Sequence, residues 1–236
     1  MLLFFVLKSE KMNKELVQFL SQFVTESRAS LFNNIIEERT RYITIGLEDI
    51  YQSQNASAVL RTSDCFGIQD IHIIENQNEY QINPDVTLGS SKWLSLNKYN
   101  QSENNTLAAI NKLKKDGYRI VATTPHKDDV NLEDFDIEKG KFALFFGTEL
   151  NGLSDLMINN ADEYLKIPMY GFTESFNISV SAAIILHHLT SNLRKSTLDW
   201  QLSDNEKEQI KLDWLKQTIK MSSELIEEFL SKKKNN

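Results

Sequence analysis

The polar residues best placed to do chemistry gather where a strand gives way to a helix. From Ile167 the chain reads Ile-Pro-Met-Tyr-Gly-Phe-Thr-Glu-Ser-Phe-Asn-Ile-Ser-Val-Ser-Ala-Ala-Ile-Ile-Leu-His-His. Pro168 stops sheet pairing, and Gly171 allows a backbone turn that a side chain would hinder. Ser175 and Asn177 are both N-cap candidates for the helix that follows. Its first turns carry Ser179, Ser181, Ala182 and Ala183, which leave room for another backbone or a ligand. Two further strand ends have the same character: Thr123-Thr124 before Pro125, and Gly147-Thr148-Glu149 after an apolar run. Open α/β sheets bind ligands outside the carboxyl ends of their strands. No G-x-G-x-x-G follows any strand and no G-x-x-x-x-G-K-S/T is present, so neither a dinucleotide fold nor a phosphate-binding NTPase is expected. Backbone groups of turns, with an apolar pocket and few charges, suit an adenosine-like group.

The elements that must hold these turns follow from hydrophobic period. Tyr42 to Glu48 alternates and is β-branched, and is read as the first strand. Asn55 to Gly67 is a helix stopped by Gly67, with Ala58, Leu60, Cys65 and Phe66 as apolar contacts and Arg61 in its middle. Ile68 to Ile74 is the second strand, and Gly89 to Leu96 a turn entering a short third. Asn105 to Lys115 is an amphipathic helix before the strand Tyr118–Thr124. Asp128 to Gly140 is acidic and irregular, and is read as a surface loop. Lys141 to Phe146 is a fully buried strand, and Glu163 to Ile167 another. Strand–helix–strand repetition implies a parallel sheet with helices on both faces.

Helices flank this region. Asn13 to Glu38 puts Leu16, Leu20, Phe23 and Val24 on one face and Leu31, Ile35 and Ile36 on another. Glu206 to Lys233 carries the stripe Leu212, Leu215, Ile219 and Leu225. The expected organisation is an extension over 1–11, a helical segment over 12–41, the α/β domain over 42–196 and a helical segment over 197–236. Met12 is the expected start of the working protein, which mass spectrometry of native material would test.

The chain of 236 residues is long enough for one sizeable domain with attached helices. The apolar run Met1–Leu7 falls short of the about 20 residues a membrane span needs. One cysteine, Cys65, excludes an internal disulfide and a cysteine-built metal site, which fits a reducing, cytoplasmic setting. A formal charge of −7 argues mildly against nucleic acid, although a local basic patch decides that question. His187 and His188 are read as core or interface residues, with no metal constellation around them. Trp93, Trp200 and Trp214 are read as packing anchors.

Three segments together carry a family resemblance: Asn55-x-x-x-x-x-Arg61-Thr62, Leu144-Phe-Phe-Gly-Thr-Glu149 with Gly152, and Ile167-Pro-Met followed by Ser175-x-Asn177-x-Ser179. In order and spacing they resemble the motifs of the SPOUT ribose methyltransferases. Gly89-Ser-x-Lys-Trp93 and Asp213-Trp-Leu-Lys216 are similar to the TrmH-type tRNA guanosine-2′-O-methyltransferases in particular. The likeness runs from about Leu31 to Lys216. It implies a deep trefoil knot in the C-terminal half of the domain, S-adenosylmethionine bound there in a bent form, and a homodimer with the active site near the subunit interface.

Carried over by position, the resemblance implies that Thr124, Ile167, Met169 and Phe176 lie against the cofactor and that Gly147 lets the backbone approach it. Asn55, Arg61, Glu149, Ser175 and Asn177 match catalytic and binding positions. The family assigns Arg61 to activation of the ribose hydroxyl. A guanidinium is not a base at ordinary pH, so it would act as a cation on the developing alkoxide or on an RNA phosphate. Asn177 would fix the cofactor or the first-motif helix through its amide. Ser53-Gln54 replaces the common Lys-Pro, and Glu174 and Phe176 stand where Gln and Leu are common. The expected basic contacts to tRNA are Arg39, Arg41, Arg194, Lys195 and Lys211. A ribosomal RNA or another tRNA nucleotide would use the same motifs, and a non-catalytic knotted RNA-binding protein is the rival of another class.

Overall fold

The computed structural model describes residues 2–125, 130–148 and 150–234, with side chains described from residue 11 to 233. In chain order the elements are α1 (Leu2–Leu20), α2 (Glu26–Ile36), β1 (Ile43–Glu48), α3 (Ser53–Cys65), β2 (Asp70–Ile74), α4 (Pro84–Thr87), β3 (Ser95–Tyr99), α5 (Asn105–Lys115), β4 (Arg119–Thr123), β5 (Val130–Asn131), β6 (Phe142–Phe146), α6 (Asp155–Asn160), β7 (Glu163–Lys166), α7 (Ile178–Lys195), α8 (Asp204–Thr218) and α9 (Ser222–Lys234). Two compact units result. Thr40–Trp200 forms one, and the segments up to Arg39 and from Gln201 onward form the other. The two terminal helical segments, expected as separate extensions, therefore cluster together.

In the central unit all seven strands run parallel, in the order β3-β2-β1-β6-β4-β7-β5. Parallel pairing puts every carboxyl end on one edge of the sheet, so the three predicted ligand turns share that edge. The strands read as continuous apolar runs because both faces are covered. One face packs Ile43, Ile45, Leu47, Leu144 and Phe146 against Val59 and Leu60 of α3 and Ile185, Leu186 and Leu189 of α7. The other packs Ile120, Ala143 and Phe145 against Ala109, Ile110 and Leu113 of α5 and Met157 of α6. Each wholly buried phenylalanine contributes on the order of 2–3 kcal/mol. Gly46 pairs with Phe145 across β1 and β6. A β-carbon at Gly46 would sit 2.3 Å from the Phe145 ring, so the ring fills the space the glycine vacates.

Two expectations need correction, and a third in part. The segment read as a surface loop before β6 contains β5 and buries Leu132, Phe135 and Ile137. Its acidic residues alternate with apolar ones that pack on the sheet, where Phe135 meets Phe142 edge-on at 5.0 Å. Residues 128–129 of that segment lie outside the described residues. Cys65 is exposed rather than apolar-packed, because it sits on the outer side of the last turn of α3. Of the core or interface reading for the two histidines, the core half does not hold: His187 is exposed, with its ring 6.1 Å from that of Phe66, and His188 is half-buried, with Nε2 within 3.0 Å of Asn192 Nδ2 on its own helix.

In the terminal unit Thr25 caps α2 and accepts from the Arg28 amide, and Ser203 forms a capping box with Glu206 at the start of α8. Trp214 is buried against Phe32, with ring centroids 5.4 Å apart. Leu16, Leu20 and Ile36 are buried as expected, whereas Phe23, Leu31 and Ile35 are exposed and Phe32 takes the inward position on α2. No helix among the described residues is long and apolar enough to cross a membrane.

Candidate active site

Both α3 and α7 begin at the carboxyl edge and run side by side down the same face of the sheet. Asn177 caps α7: its Oδ1 accepts from the Ser179 amide at 2.9 Å and the Ser179 hydroxyl at 2.6 Å. Its Nδ2 then donates to Asn55 Oδ1 at 3.2 Å, and Asn55 Nδ2 donates to Gln52 Oε1 at 3.0 Å. One amide thus satisfies a helix start and ties it to the other helix. Ser175, the alternative cap, is exposed two residues before and does not cap the helix.

The strand ends next to this pair are closely knit. The Thr123 hydroxyl donates to the Phe145 carbonyl at 2.7 Å, and the Thr124 amide to the Leu165 carbonyl at 3.1 Å. After β6, Thr148 and Gly152 exchange two backbone hydrogen bonds of 2.9 and 3.0 Å, and the Asn151 amide donates to Thr148 Oγ1 at 3.1 Å. Gly147 is required by this turn: a β-carbon there would lie 2.1 Å from the Gly152 carbonyl. The close approach that excludes a side chain at Gly147 is therefore made by the chain itself, where the sequence suggested a ligand. Gly152, at φ +68°, closes the turn in the left-handed region. Glu149 lies outside the described residues.

Beyond β7 the chain behaves differently. From Met169 to Phe176 it makes no hydrogen bond with another described residue. Tyr170 and Phe172 are fully exposed and Phe176 is 43% exposed, while Ile167 packs on the core and Met169 is half-buried. Gly171 is not in the left-handed region and a β-carbon there would meet nothing nearer than 4.0 Å, so the turn itself does not demand glycine. Free backbone donors and acceptors beside apolar side chains are the features that an adenosine-like ligand needs.

Arg61 is exposed on α3 and makes no hydrogen bond or ion pair with a described residue. A purely structural buried arginine is thereby set aside. It stands about 9 Å along the helix from Asn55 and on a different face. The structure therefore does not bring Arg61 onto the Asn55–Asn177 pair within this chain.

The expected basic contacts do not assemble at this edge. Arg41 pairs with Asp70 at 2.9 Å, at the amino end of β1 and β2, about 20 Å from the carboxyl edge by strand rise. Arg194 and Lys195 close the far end of α7, about 25 Å from its cap; Arg194 donates to the Phe66 carbonyl at 3.0 Å and lies over Trp200. In the terminal unit Arg39 is only 2% exposed, with its guanidinium 5.5 Å from the Trp214 ring. Lys211 pairs with Glu208 at 2.6 Å. Local sequence cannot reveal such partners, because tertiary neighbours decide them.

One residue the sequence reading passed over is Glu48. It ends β1 at the carboxyl edge, only 3% exposed, and accepts from the Ser154 amide, the Ser154 hydroxyl and the Thr106 hydroxyl at 2.8, 2.8 and 2.6 Å. The available signal was an acid closing an otherwise apolar buried strand. Asp49, at φ +51°, accepts from the amides of Asn76, Gln77 and Asn78 at 2.7, 2.8 and 3.2 Å.

The fold and the sequence agree with known proteins. The SpoU rRNA methylase family model matches residues 42–187. A tRNA (guanosine(18)-2′-O)-methyltransferase of Borreliella burgdorferi is 49% identical over 85% of this chain and 90% of its own length. Its counterpart in Thermus thermophilus is 31% identical over 81% of this chain and 97% of its own. The crystal structure of the Aquifex aeolicus TrmH/SpoU tRNA modifying enzyme superposes with a TM-score of 0.72 at 28% identity, covering 82% of this chain and 98% of that one. With the parallel sheet, the three turns on one edge and the Asn177–Asn55 link at their centre, these matches place the chain in the SpoU methylase family.

Proposed function

We propose that the chain is an S-adenosylmethionine-dependent ribose 2′-O-methyltransferase that acts on the D-loop guanosine of tRNA, position 18, as a cytoplasmic homodimer. The observation that carries the reading is the convergence of the three family motifs on one sheet edge, centred on the Asn177–Asn55 link. The 49% identity to the Borreliella burgdorferi tRNA enzyme supports the choice of substrate.

When bound, the cofactor supplies an electrophilic methyl group on a sulfonium. The free backbone groups of 169–176, with Ile167, Met169 and Phe176 as apolar walls, fit its adenosine part. Thr124 and the Thr148–Gly152 turn close the other side. Asn177 holds the start of α7 against α3 and so fixes the distance between motif one and motif three. Transfer forms a carbon–oxygen bond at the ribose 2′-oxygen, breaks the methyl–sulfur bond and releases the hydroxyl proton to solvent. Arg61 remains a cation throughout and stabilises the alkoxide as it forms. An exposed Arg61, with no bonded partner among the described residues and set apart from the Asn pair, suits a site completed by a second subunit. The strand order, with β6 between β1 and β4 and β7 between β4 and β5, supports the threaded chain that the family resemblance implies.

Incubation of the purified protein with tRNA transcripts and methyl-labelled S-adenosylmethionine, followed by nuclease mapping, tests the reading. Label on the 2′-oxygen of the D-loop guanosine is expected. Label only on ribosomal RNA would move the substrate and keep the chemistry. Binding of RNA without any transfer would overturn the enzymatic reading.

A further inference from the structure

Glu48 stands at the junction of three structural features, none of which needs an acid for its own folding. Its carboxylate closes β1, between β2 and β6 in the sheet. On one side Oε1 accepts from Thr106 at the start of α5, whose hydroxyl also accepts from Asn76 Nδ2 at 2.8 Å. On the other, both oxygens are taken up by Ser154: the amide on Oε2 and the hydroxyl on Oε1, each at 2.8 Å. Ser154 in turn caps α6, accepting from the Met157 amide at 3.1 Å. It follows Gly152 by two residues, so it is the downstream anchor of the Thr148–Gly152 turn. That turn's upstream anchor is β6 itself.

The asymmetry of these donors is informative. No lysine or arginine pairs with Glu48 among the described residues, and the three donors are neutral. A buried carboxylate satisfied only by neutral donors costs more to desolvate than a polar neutral side chain would. What the carboxylate alone provides is two acceptor oxygens, able to hold an amide and two hydroxyls at once. A glutamine in the same place turns one oxygen into a donor. Either the Ser154 amide then faces an N–H, or both hydroxyls must reverse. Because even a β-carbon at Gly147 would overlap the Gly152 carbonyl, the turn is packed too closely to take up a shift of its far end by compressing.

We infer that Glu48 is a positioning residue for the cofactor: it sets the height of the Thr148–Gly152 turn over the sheet edge by holding Ser154, and S-adenosylmethionine binds against that turn. This rests on the methyltransferase reading and adds a residue outside the three motifs. Thr106 serves as the internal control. It contacts the same carboxylate from the α5 side, away from the turn, so its loss weakens the core but leaves the turn in place.

Calorimetric titration of the full-length protein with S-adenosylmethionine tests this, alongside steady-state transfer to tRNA. Glu48→Gln is expected to weaken cofactor binding and raise the cofactor KM at least tenfold, with kcat at saturation within about threefold of the wild type. Ser154→Ala removes the hydroxyl contact with Glu48 and the cap on α6 while keeping the amide on Oε2, and is expected to shift KM in the same direction. Combined with Glu48→Gln it should add less than the product of the two single effects. Thr106→Val is expected to lower the melting temperature without moving KM. If Glu48→Gln fails to fold, the contrast between Ser154→Ala and Thr106→Val decides. Unchanged cofactor affinity in Ser154→Ala, or equal losses in Ser154→Ala and Thr106→Val, would overturn the inference. A wild-type protein that binds no cofactor would overturn this inference and the methyltransferase reading together, whereas failure here alone leaves wild-type binding intact.

Discussion

The two edges of the parallel sheet contrast in how their polar groups are used. At the amino edge almost every strong donor near the strand starts is committed inward. Arg41 pairs with Asp70, and Arg194 donates to the Phe66 carbonyl. Arg119 pairs with Glu163, donates to the carbonyls of Asp136 and Gly140 at 3.1 Å each, and stacks on Phe135 and Phe142. At the carboxyl edge, carboxylates and amides brace the turns, yet eight residues from Met169 to Phe176 have no bonded partner among the described residues. The first edge holds the fold together; the second is left to be completed by something else. That division follows from strand direction, since only the carboxyl ends open into turns whose backbone points outward.

Substitutions should respect this division. The largest effect is expected for Arg61→Ala, which removes the cation proposed to stabilise the forming alkoxide. Turnover should fall at least about a hundredfold, while calorimetry shows S-adenosylmethionine affinity nearly unchanged. Turnover near wild type would end the assignment. At the opposite edge Arg119→Met leaves the half-buried Glu163 with only Lys139, at 3.6 Å, and should cost about 3 kcal/mol in urea unfolding. Turnover per folded molecule should be unaffected, and a selective loss of kcat there would blur the contrast between edges.

A third prediction concerns acid. His72 is 7% exposed, and burial, reinforced by Lys112 and opposed by Asp116, lowers its pKa to about 4 from 6.5. Its Nδ1 sits 2.9 Å from the Tyr99 hydroxyl, which burial pushes up to about 12. As pH falls through 6.5 the unfolded chain takes up the proton first. The stability due to neutral His72 is therefore full above pH 6.5 and lost on the way down to about 4. Unfolding free energies at pH 7 and pH 4 should differ through this residue by about 3 kcal/mol at most, and His72→Gln should flatten that part of the profile. A profile unchanged by the substitution would place the acid sensitivity elsewhere.

The smallest effect separates two roles of one side chain. Asn177→Asp keeps the cap on Ser179 but cannot donate to Asn55, whereas Asn177→Ala loses both. The alanine variant should lose about 1 kcal/mol of stability. Both variants should lose several-fold in transfer rate, because both lose the tie between the start of α7 and Asn55. A fully active aspartate variant would reduce Asn177 to a cap.

Much of this division was legible in the residues, and the reasons are local. The β-branched and phenylalanine runs at Ile43–Glu48 and Phe142–Phe146 mark strands buried on both faces. The order of the seven strands is not written in any one segment; it depends on how distant ones stack. Asp128–Gly140 was misread because its acids are more conspicuous than the alternating Leu132, Phe135 and Ile137 beneath them. The partners of the arginines expected to face RNA were not legible for a related reason: a guanidinium looks alike in sequence whether it faces solvent or also meets Asp70, Phe66 or Trp214. Asn177 was legible in both of its parts, because a helix cap and a tie between motifs need the same amide.

The most direct test of the two-edge account is amide hydrogen exchange with and without S-adenosylhomocysteine. The account predicts new protection confined to Met169–Phe176 and the Thr148–Gly152 turn, with the amides beside Arg41 and Arg119 unchanged. Protection that appears at the amino edge, or none at Met169–Phe176 under saturating ligand, would contradict it.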